Sequence, residues 1–305
     1  MAHPTTSLVL GSGGARGLTH IGVIRCLEDC GYAIRYVAGS SIGALVGGIY
    51  AAGKLDVYAD WVSALQRSDI VRLLDWSLDG CSLFKGERII AMLKELIGEC
   101  NIEDLPVGYT AVATDLSGRG TGREVWLNRG PLFDAIRASI AVPTLFAPVK
   151  KDGRLLVDGA IVNPVPLAPT LNDHTDITVA VDLNGGHGAA SRLAAPETRP
   201  ASALHSAYRQ SIGRYLDRLR AASDAQPRER VGFSDLVIRS METMQATITQ
   251  YKLAAATPAV VVRIPRNLCA FFDFHRAKEL IAYGYQRAEQ ALEDYAHNAP
   301  AAAVR

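Results

Sequence analysis

Residues 34–53, IRYVAGSSIGALVGGIYAAG, decide the fold that this chain is expected to adopt. The apolar stretch from Ile34 to Ala38 predicts a short buried strand. The apolar run from Ala44 to Tyr50 predicts a helix that ends at Gly53, a residue suited to a left-handed C-terminal cap. A strand that passes through a tight turn into a helix is typical of layered α/β folds with a parallel sheet.

Ser41 lies in the turn between this strand and this helix, with Gly39 and Gly43 on either side. A turn this tight leaves no space for large side chains at the two glycine positions, and it lifts the serine oxygen clear of the strand end. The helix directs its unpaired N–H groups toward the place where an alkoxide would form. Ser41 is therefore the first candidate nucleophile, although a glycine-rich turn with an incidental serine has the same pattern.

A second glycine-rich loop, GSGGARG at 11–17, lies between a predicted strand from Ser7 to Leu10 and a predicted helix from Leu18 to Cys30. Such loops usually bring backbone N–H groups against an anion. A dinucleotide loop would need a third glycine where Arg16 stands, and a nucleotide-phosphate loop would need Gly-Lys-Ser/Thr at its end. The remaining candidate is the oxyanion of an acyl-transfer intermediate. The N–H groups that would hold it are those of Gly13, Gly14 and Ala15.

The proton acceptor for Ser41 is not expected to be a histidine. Consecutive parallel strands end at one edge of a sheet, so the glycine loop and Ser41 should face one site. None of the seven histidines has a suitable setting beside that site. His20 is expected to pack or hydrogen-bond within the first helix, and His205 and His275 are expected near helix starts.

Asp158 is the better candidate for the base. It is followed by Gly159 and Ala160, and it stands at the exit of a predicted hairpin whose turn is Lys151-Asp152-Gly153. A free aspartate has a pKa of about 3.9 and is a weak proton acceptor, but burial would raise that pKa. Taken alone, Asp158 is more simply a turn residue that binds its own backbone.

Together these segments resemble the patatin-like phospholipases. The loop at 11–17, GSSIG at 39–43 and DGA at 158–160 are similar to that family's oxyanion loop, nucleophile elbow and D-G-A/G element. ATDL at 113–116, followed by Gly118, and ASIAVPTLFAP at 138–148 are similar to further segments of the family. The matches occur in order between Ser7 and Leu183.

The resemblance implies an α/β fold, a three-layer sandwich with a mostly parallel central sheet flanked by helices. It also implies a serine hydrolase that cleaves the carboxylic ester bonds of lipids through an acyl-enzyme, with a Ser-Asp dyad and no catalytic histidine. Ser41 would be the nucleophile and Asp158 the general base. The oxyanion hole would be formed by Gly13, Gly14, Ala15 and Arg16, and the motifs would be supported by Gly11, Gly39, Gly43, Gly159 and Ala160.

Composition limits the partners. A chain of 305 residues with 49% hydrophobic content can bury a large core. The 32 Lys and Arg residues balance 31 Asp and Glu residues, so no global field attracts nucleic acid or an anionic membrane. The N-terminus has no leader pattern, and the five cysteines lack C-x-x-C spacing, which favours a reduced, cytoplasmic protein. No D-x-D-x-D-G loop is present, so neither a metal nor another cofactor is predicted.

The expected organisation is a catalytic core at 7–183, a mobile loop at 184–200, and a C-terminal part at 201–297 that packs on the same domain. This last part contains a predicted strand from Val260 to Pro265 and a helix from about His275 to Tyr295. A basic amphipathic helix from Ser202 to Ala221 either docks on the core or lies on an anionic membrane as a peripheral contact.

The region from Asp56 to Ile97 is rich in large apolar groups and forms either ordinary core or a wall or lid over Ser41. Other protein classes stay open as alternatives. They are a nucleotide-binding α/β protein, a catalytically idle regulator with the same fold, and a hydrolase with a histidine base. The acyl donor is open among phospholipid, lysophospholipid, neutral lipid and short ester.

Overall fold

The computed structural model of the protein describes residues 3–75, 77, 82–118, 122–186 and 233–298. The chain divides into two compact units, one formed by residues 1–190 and 240–305 and the other by residues 191–239. Within the second unit, the description covers only residues 233–239, which begin a long helix.

A mostly parallel sheet forms the centre of the first unit. Its strands are β1 (Thr5–Leu10), β2 (Ala33–Ser40), β4 (Gly108–Asp115), β5 (Arg123–Leu127), β7 (Val149–Lys151), β8 (Arg154–Asp158), β9 (Ile177–Gly185) and β10 (Val260–Pro265). Their spatial order is β10-β9-β1-β2-β4-β8-β7, with β5 beside β4. The pairs from β10 to β4 are parallel, whereas β4–β8, β8–β7 and β4–β5 are antiparallel. A separate parallel pair consists of β3 (Ser82–Phe84) and β6 (Thr144–Phe146).

Helices cover both faces of this sheet. They are α1 (Thr19–Asp29), α2 (Ile42–Ala51), α3 (Leu55–Ala64), α4 (Arg67–Leu73), α5 (Glu87–Ile97), α6 (Leu132–Ser139), α7 (Phe233–Ala255) and α8 (Ala277–Asn298). Successive side chains of a strand point to opposite faces, so Leu8 and Leu10 pack with α1 and α8, whereas Val9 packs with Leu253 near the end of α7. The expected three-layer α/β architecture is confirmed.

Strand register brings the predicted motifs to one edge of the sheet. Leu10, at the end of β1, pairs with Gly39 of β2, and Ser40 pairs with Val112 of β4. The end of β8 reaches the same place from the other direction, because Asp158 pairs with Ala113. An antiparallel strand therefore delivers a carboxylate to the edge where parallel strands deliver the two loops.

Several predicted elements occur close to their expected positions. The hairpin of β7 and β8 turns at Asp152 and Gly153, which have φ of 50° and 73°. Strand β9 continues to Gly185, where it still pairs with β10, two residues beyond the expected end of the core at residue 183. Most of the predicted loop at 184–200 and the predicted helix from Ser202 to Ala221 lie outside the described residues.

Helices α1 and α8 cross in direct backbone contact at two glycines. A Cβ atom at Gly22 of α1 would lie 2.0 Å from the carbonyl oxygen of Ile281, and one at Gly284 of α8 would lie 2.1 Å from that of Thr19. Because α1 follows the glycine loop directly, this crossing also limits where the loop can lie. No helix within the described ranges is long and apolar enough to cross a membrane.

Replacement of either crossing glycine is expected to destabilise the protein. Gly22→Ala and Gly284→Ala should each lower the free energy of unfolding by about 1 to 3 kcal/mol, because the added methyl group forces the two helices apart. Denaturant titration measures this change. Gly186→Ala, at a position where a Cβ meets nothing within 4 Å, is the matched control. An equal effect of all three substitutions would contradict the role of the crossing.

Candidate active site

Ser41 occupies a strained turn between β2 and α2. Its backbone has φ of 56° and ψ of −125°, a combination that non-glycine residues seldom adopt. A Cβ at Gly39 would lie 2.4 Å from the carbonyl group of Gly43, and a Cβ at Gly43 would lie 2.1 Å from the carbonyl oxygen of Leu10. Both positions therefore leave no space for a Cβ atom, because the neighbouring backbone lies too close.

Ser139, the last residue of α6, stabilises this turn through two hydrogen bonds. Its hydroxyl accepts a hydrogen bond from the Ser41 N–H at 3.0 Å and donates one to the carbonyl oxygen of Val112 at 2.6 Å. Ser139 is fully buried. No local sequence pattern indicates this role of Ser139, although the residue belongs to the segment at 138–148 that resembles the family.

Asp158 and Ser41 are in direct contact. The Ser41 hydroxyl donates to Oδ2 of Asp158 at 2.6 Å, and Oδ1 accepts from the N–H of Ala160 at 2.8 Å. The Asp158 side chain is almost completely buried. Burial raises the pKa of this carboxyl to about 7, while the hydrogen bonds from Ser41 and Ala160 act in the opposite direction. The carboxyl therefore exchanges its proton near neutral pH.

The backbone around Asp158 is locked against β4. A Cβ at Gly159 would lie 2.1 Å from the carbonyl oxygen of Val112, so only glycine permits this approach. The Thr114 hydroxyl donates to the Asp158 carbonyl at 2.9 Å, and the Asp158 N–H donates to the carbonyl oxygen of Ala141 at 2.9 Å. These contacts fix the position of the carboxyl relative to Ser41.

The glycine loop lies against both β9 and the segment after β10. The Gly11 N–H donates to the carbonyl oxygen of Val181 at 3.1 Å, which anchors the start of the loop. The Ala15 N–H donates to the carbonyl oxygen of Phe271 at 2.9 Å, so the expectation that it faces the oxyanion is corrected. No acceptor outside the loop's own helical turn is found for the Gly13 and Gly14 N–H groups in the part of the chain that the structure describes.

The side chain of Arg16 is buried and binds two residues far away in sequence. Its Nη1 donates to the carbonyl oxygen of Arg266 at 2.7 Å, and its Nη2 forms an ion pair with Glu242 at 2.7 Å. Two of the three guanidinium nitrogens of Arg16 are thus engaged by distant residues, while its Nε has no hydrogen-bond partner among the described residues.

The histidines of the described residues do not contact Ser41. His20 is fully buried and hydrogen-bonds through Nε2 to the carbonyl oxygen of Gly11 at 2.8 Å. Burial lowers the pKa of His20 to about 4, so the ring is neutral at physiological pH. His275 lies beside Arg67, and His205 falls outside the described residues.

An apolar cavity of about 110 Å³ adjoins Ser41 and Gly14. Helices α2 to α5 supply most of its wall, with Tyr58, Val62 and Leu93 among the side chains. The apolar region from Asp56 to Ile97 therefore contributes a wall beside the serine. Residues after β10 complete the cavity, and sequence analysis missed them; they are Phe271, Phe272 and Phe274. Their only indication in the sequence is that aromatic residues cluster in a short segment.

No group of three or more His, Cys, Asp or Glu side chains suited to a metal ion is present among the described residues.

Comparison with known proteins assigns the chain to a family. The family model for patatin-like phospholipases matches residues 8–171. An uncharacterised NTE family protein of Mycobacterium tuberculosis is 39% identical, over 96% of this chain and 92% of its own length. The chain belongs to the patatin-like phospholipase family, and this membership indicates a lipid hydrolase.

More distant relatives share only part of the chain. Lysophospholipase NTE1 of Yarrowia lipolytica is 32% identical over 58% of this chain and 12% of its own length. A patatin-like phospholipase domain-containing protein of Caenorhabditis elegans is 37% identical over 58% of this chain and 13% of its own length. Among solved structures, VipD from Legionella pneumophila matches 97% of this chain and 67% of its own, with a TM-score of 0.47 and 14% identity.

The buried carboxyl of Asp158 is expected to make stability depend on pH. Its pKa rises from 3.8 to about 7 on folding, so stability falls as pH increases between these values and stays low above them. Asp158→Asn removes the ionisation and should raise the free energy of unfolding at pH 8 by about 2 to 4 kcal/mol relative to the native chain.

Chemical denaturation of both chains at pH 5, 6, 7 and 8 measures this difference. The gain from Asp158→Asn should be small at pH 5, grow toward pH 7 and then level off. A gain of equal size at every pH would show that the carboxyl does not titrate in this range.

Proposed function

We propose that this protein is a lipid acyl hydrolase that cleaves carboxylic ester bonds through an acyl-enzyme on Ser41, with Asp158 as the general base. The observation that carries this proposal is the 2.6 Å hydrogen bond from the Ser41 hydroxyl to the buried Asp158 carboxyl. Family membership and the apolar cavity beside the serine support a lipid as the acyl donor.

The first half of the reaction forms the acyl-enzyme. Asp158 accepts the hydroxyl proton while Ser41 Oγ attacks the ester carbonyl carbon. The negative charge that develops on the carbonyl oxygen is held by the N–H groups of Gly13 and Gly14 and by the positive end of α2. When the tetrahedral intermediate collapses, Asp158 returns the proton to the departing alcohol.

The second half releases the fatty acid. Water attacks the acyl-serine carbonyl and gives a proton to Asp158, and the same N–H groups hold the second oxyanion. Collapse of this intermediate breaks the bond to Ser41 Oγ, which takes the proton back from Asp158. A carboxyl with a pKa of about 7 is suited to both transfers, because it accepts and returns a proton near neutral pH.

The cavity indicates where the acyl chain lies. Its volume of about 110 Å³ is lined almost entirely by apolar side chains and adjoins Ser41. Apolar cavities of roughly 150 Å³ hold a benzene molecule, so this one accepts the first few carbons of a chain as it stands. The lysophospholipase among the relatives supports a lysophospholipid or phospholipid as the natural acyl donor.

Two other functions are less well supported. A nucleotide-phosphate loop would need Gly-Lys-Ser/Thr at its end, where this chain has Arg16-Gly17-Leu18, and the Arg16 guanidinium binds Glu242 and the Arg266 carbonyl. A catalytically idle regulator would keep the fold without an activated serine. Labelling by a fluorophosphonate separates an activated serine from an idle one.

Substitution of either dyad residue is expected to abolish hydrolysis. Ser41→Ala and Asp158→Asn should each reduce the hydrolysis of p-nitrophenyl butyrate by roughly 10³-fold or more, because one loses the nucleophile and the other its base. Fluorophosphonate labelling should disappear in Ser41→Ala.

The neighbouring serine provides the matched control. Ser40 is buried and its hydroxyl has no hydrogen-bond partner among the described residues, so Ser40→Ala should keep both hydrolysis and labelling. Undiminished activity of either Ser41→Ala or Asp158→Asn would contradict the proposed mechanism.

Narrowing the cavity is expected to change acyl-chain selectivity. Ile89 of α5 lines the cavity, whereas Leu96 of the same helix does not. Ile89→Phe should lower the ratio of kcat/KM for a dodecanoyl ester to that for an acetyl ester by about tenfold, because the ring takes the space of chain carbons. Leu96→Phe should leave this ratio unchanged. Equal ratios in the native protein and both variants would show that the acyl chain does not occupy this cavity.

A further inference from the structure

The glycine loop is held by a part of the chain far away in sequence. Besides the hydrogen bond from the Ala15 N–H to the Phe271 carbonyl at 2.9 Å, the loop touches the ring of the same phenylalanine. A Cβ at Gly14 would lie 2.6 Å from the Phe271 ring, and Gly14 has a left-handed φ of 57°. The loop conformation and the position of Phe271 therefore depend on one another.

Arg16 makes the second connection between the loop and this distant segment. Its side chain is only 4% exposed, and its Nη1 and Nη2 atoms contact the Arg266 carbonyl and Glu242, each at 2.7 Å. The Glu242 side chain is 20% exposed. A guanidinium buried to this degree is strongly unfavourable without its partner, so loss of Glu242 would force Arg16 to move.

The segment from Arg266 to Phe274 is itself fixed by an internal hydrogen bond and by Arg276, the residue before α8. The Arg276 side chain donates to the Leu268 carbonyl at 3.2 Å, and Asp273 accepts the Ala270 N–H at 3.0 Å. The segment is thus a braced loop that offers two carbonyl groups, those of Arg266 and Phe271, to consecutive residues of the glycine loop.

These contacts come from outside the region that the family model matches, residues 8–171. That region contains Ser41, Asp158 and the glycine loop, but it contains neither Glu242 nor the braced segment. The dyad is therefore held by contacts within the matched region, whereas the glycine loop is held both from within that region, at Ser12, and by the C-terminal part, at Ala15 and Arg16.

We propose that Glu242 and the segment Arg266–Phe274 form a clamp that positions the glycine loop, with Arg16 as the positioning residue through which the clamp acts. The proposal rests on the proposed function, since the clamp matters for hydrolysis only where the Gly13 and Gly14 N–H groups stabilise an oxyanion. The Ala15 N–H is then bound by the clamp and is not a donor to the oxyanion.

A clamp of this kind acts on the chemical step. The N–H groups of Gly13 and Gly14 are required when negative charge develops on the substrate oxygen, and they contribute little to the binding of the ground state. Misplacement of the loop should therefore lower kcat and leave KM nearly unchanged. A purely structural role of Arg16 would lower the amount of folded protein and keep the kcat of the folded fraction.

Replacement of Glu242 tests the clamp. Glu242→Ala should lower kcat for p-nitrophenyl butyrate by about 10- to 100-fold with KM within about twofold of the native value, because one well-placed oxyanion donor is worth roughly 10²–10³ in kcat. Glu242→Gln keeps an oxygen that accepts from Arg16 and should recover most of the loss. Asp56→Ala, which breaks the exposed pair of Arg25 and Asp56, is the matched control and should change neither constant.

Hydrogen exchange provides a readout that does not require hydrolysis. In Glu242→Ala, a peptide that spans the loop at 11–17 should exchange at least tenfold faster than in the native protein, while a peptide from α1 should not change. An inactive native protein would reject the proposed function, and the exchange rates would still test the clamp.

Two results would overturn the clamp. One is a folded Glu242→Ala protein with native kcat and native loop exchange, and the other is a rise in KM at constant kcat. If Glu242→Ala does not fold, Arg16→Lys replaces it. Lysine keeps the positive charge but cannot contact both partners in the same way, so the same fall in kcat and the same faster exchange are expected.

Discussion

Close approach of the backbone at one edge of the sheet is the constraint on which the site depends. The Gly43 backbone lies against Leu10 at the end of β1, and the Gly159 backbone lies against Val112 of β4. Both distances are too short for a Cβ atom at either glycine. These contacts bring the ends of β1, β2 and β8 together, and Ser41 stands where they meet. The strained backbone of Ser41 is held by its neighbours, with Ser139 accepting its N–H.

The same close packing determines the electrostatic environment of the Asp158 carboxyl. Asp158 is buried because β8 ends inside the protein, and burial raises the pKa of its carboxyl to about 7. An ionised carboxylate at this position destabilises the fold and at the same time makes a better proton acceptor. Stability and the proposed chemistry are thus opposed at one residue, which is common at functional sites.

The site is assembled from two parts of the chain. The matched family region contributes the serine, the aspartate and the glycine loop, whereas residues beyond it contribute the clamp and part of the cavity wall. Phe271 belongs to both, since its carbonyl binds the Ala15 N–H and its ring lines the cavity. Whatever occupies the cavity therefore contacts the same residue whose carbonyl group binds the glycine loop.

The amino-acid sequence by itself determined the parallel strand–turn–helix units and the hairpin before Asp158. These features depend on local rules, because glycine positions and apolar periodicity act within a few residues of the chain. Only the tertiary structure decided three contacts. The Ala15 N–H donates to the Phe271 carbonyl, the buried Arg16 forms an ion pair with Glu242, and the Ser139 hydroxyl accepts from the Ser41 N–H. Each of these contacts joins residues about a hundred or more positions apart, and no local pattern reports which distant carbonyl or carboxylate the folded chain brings to a given N–H group.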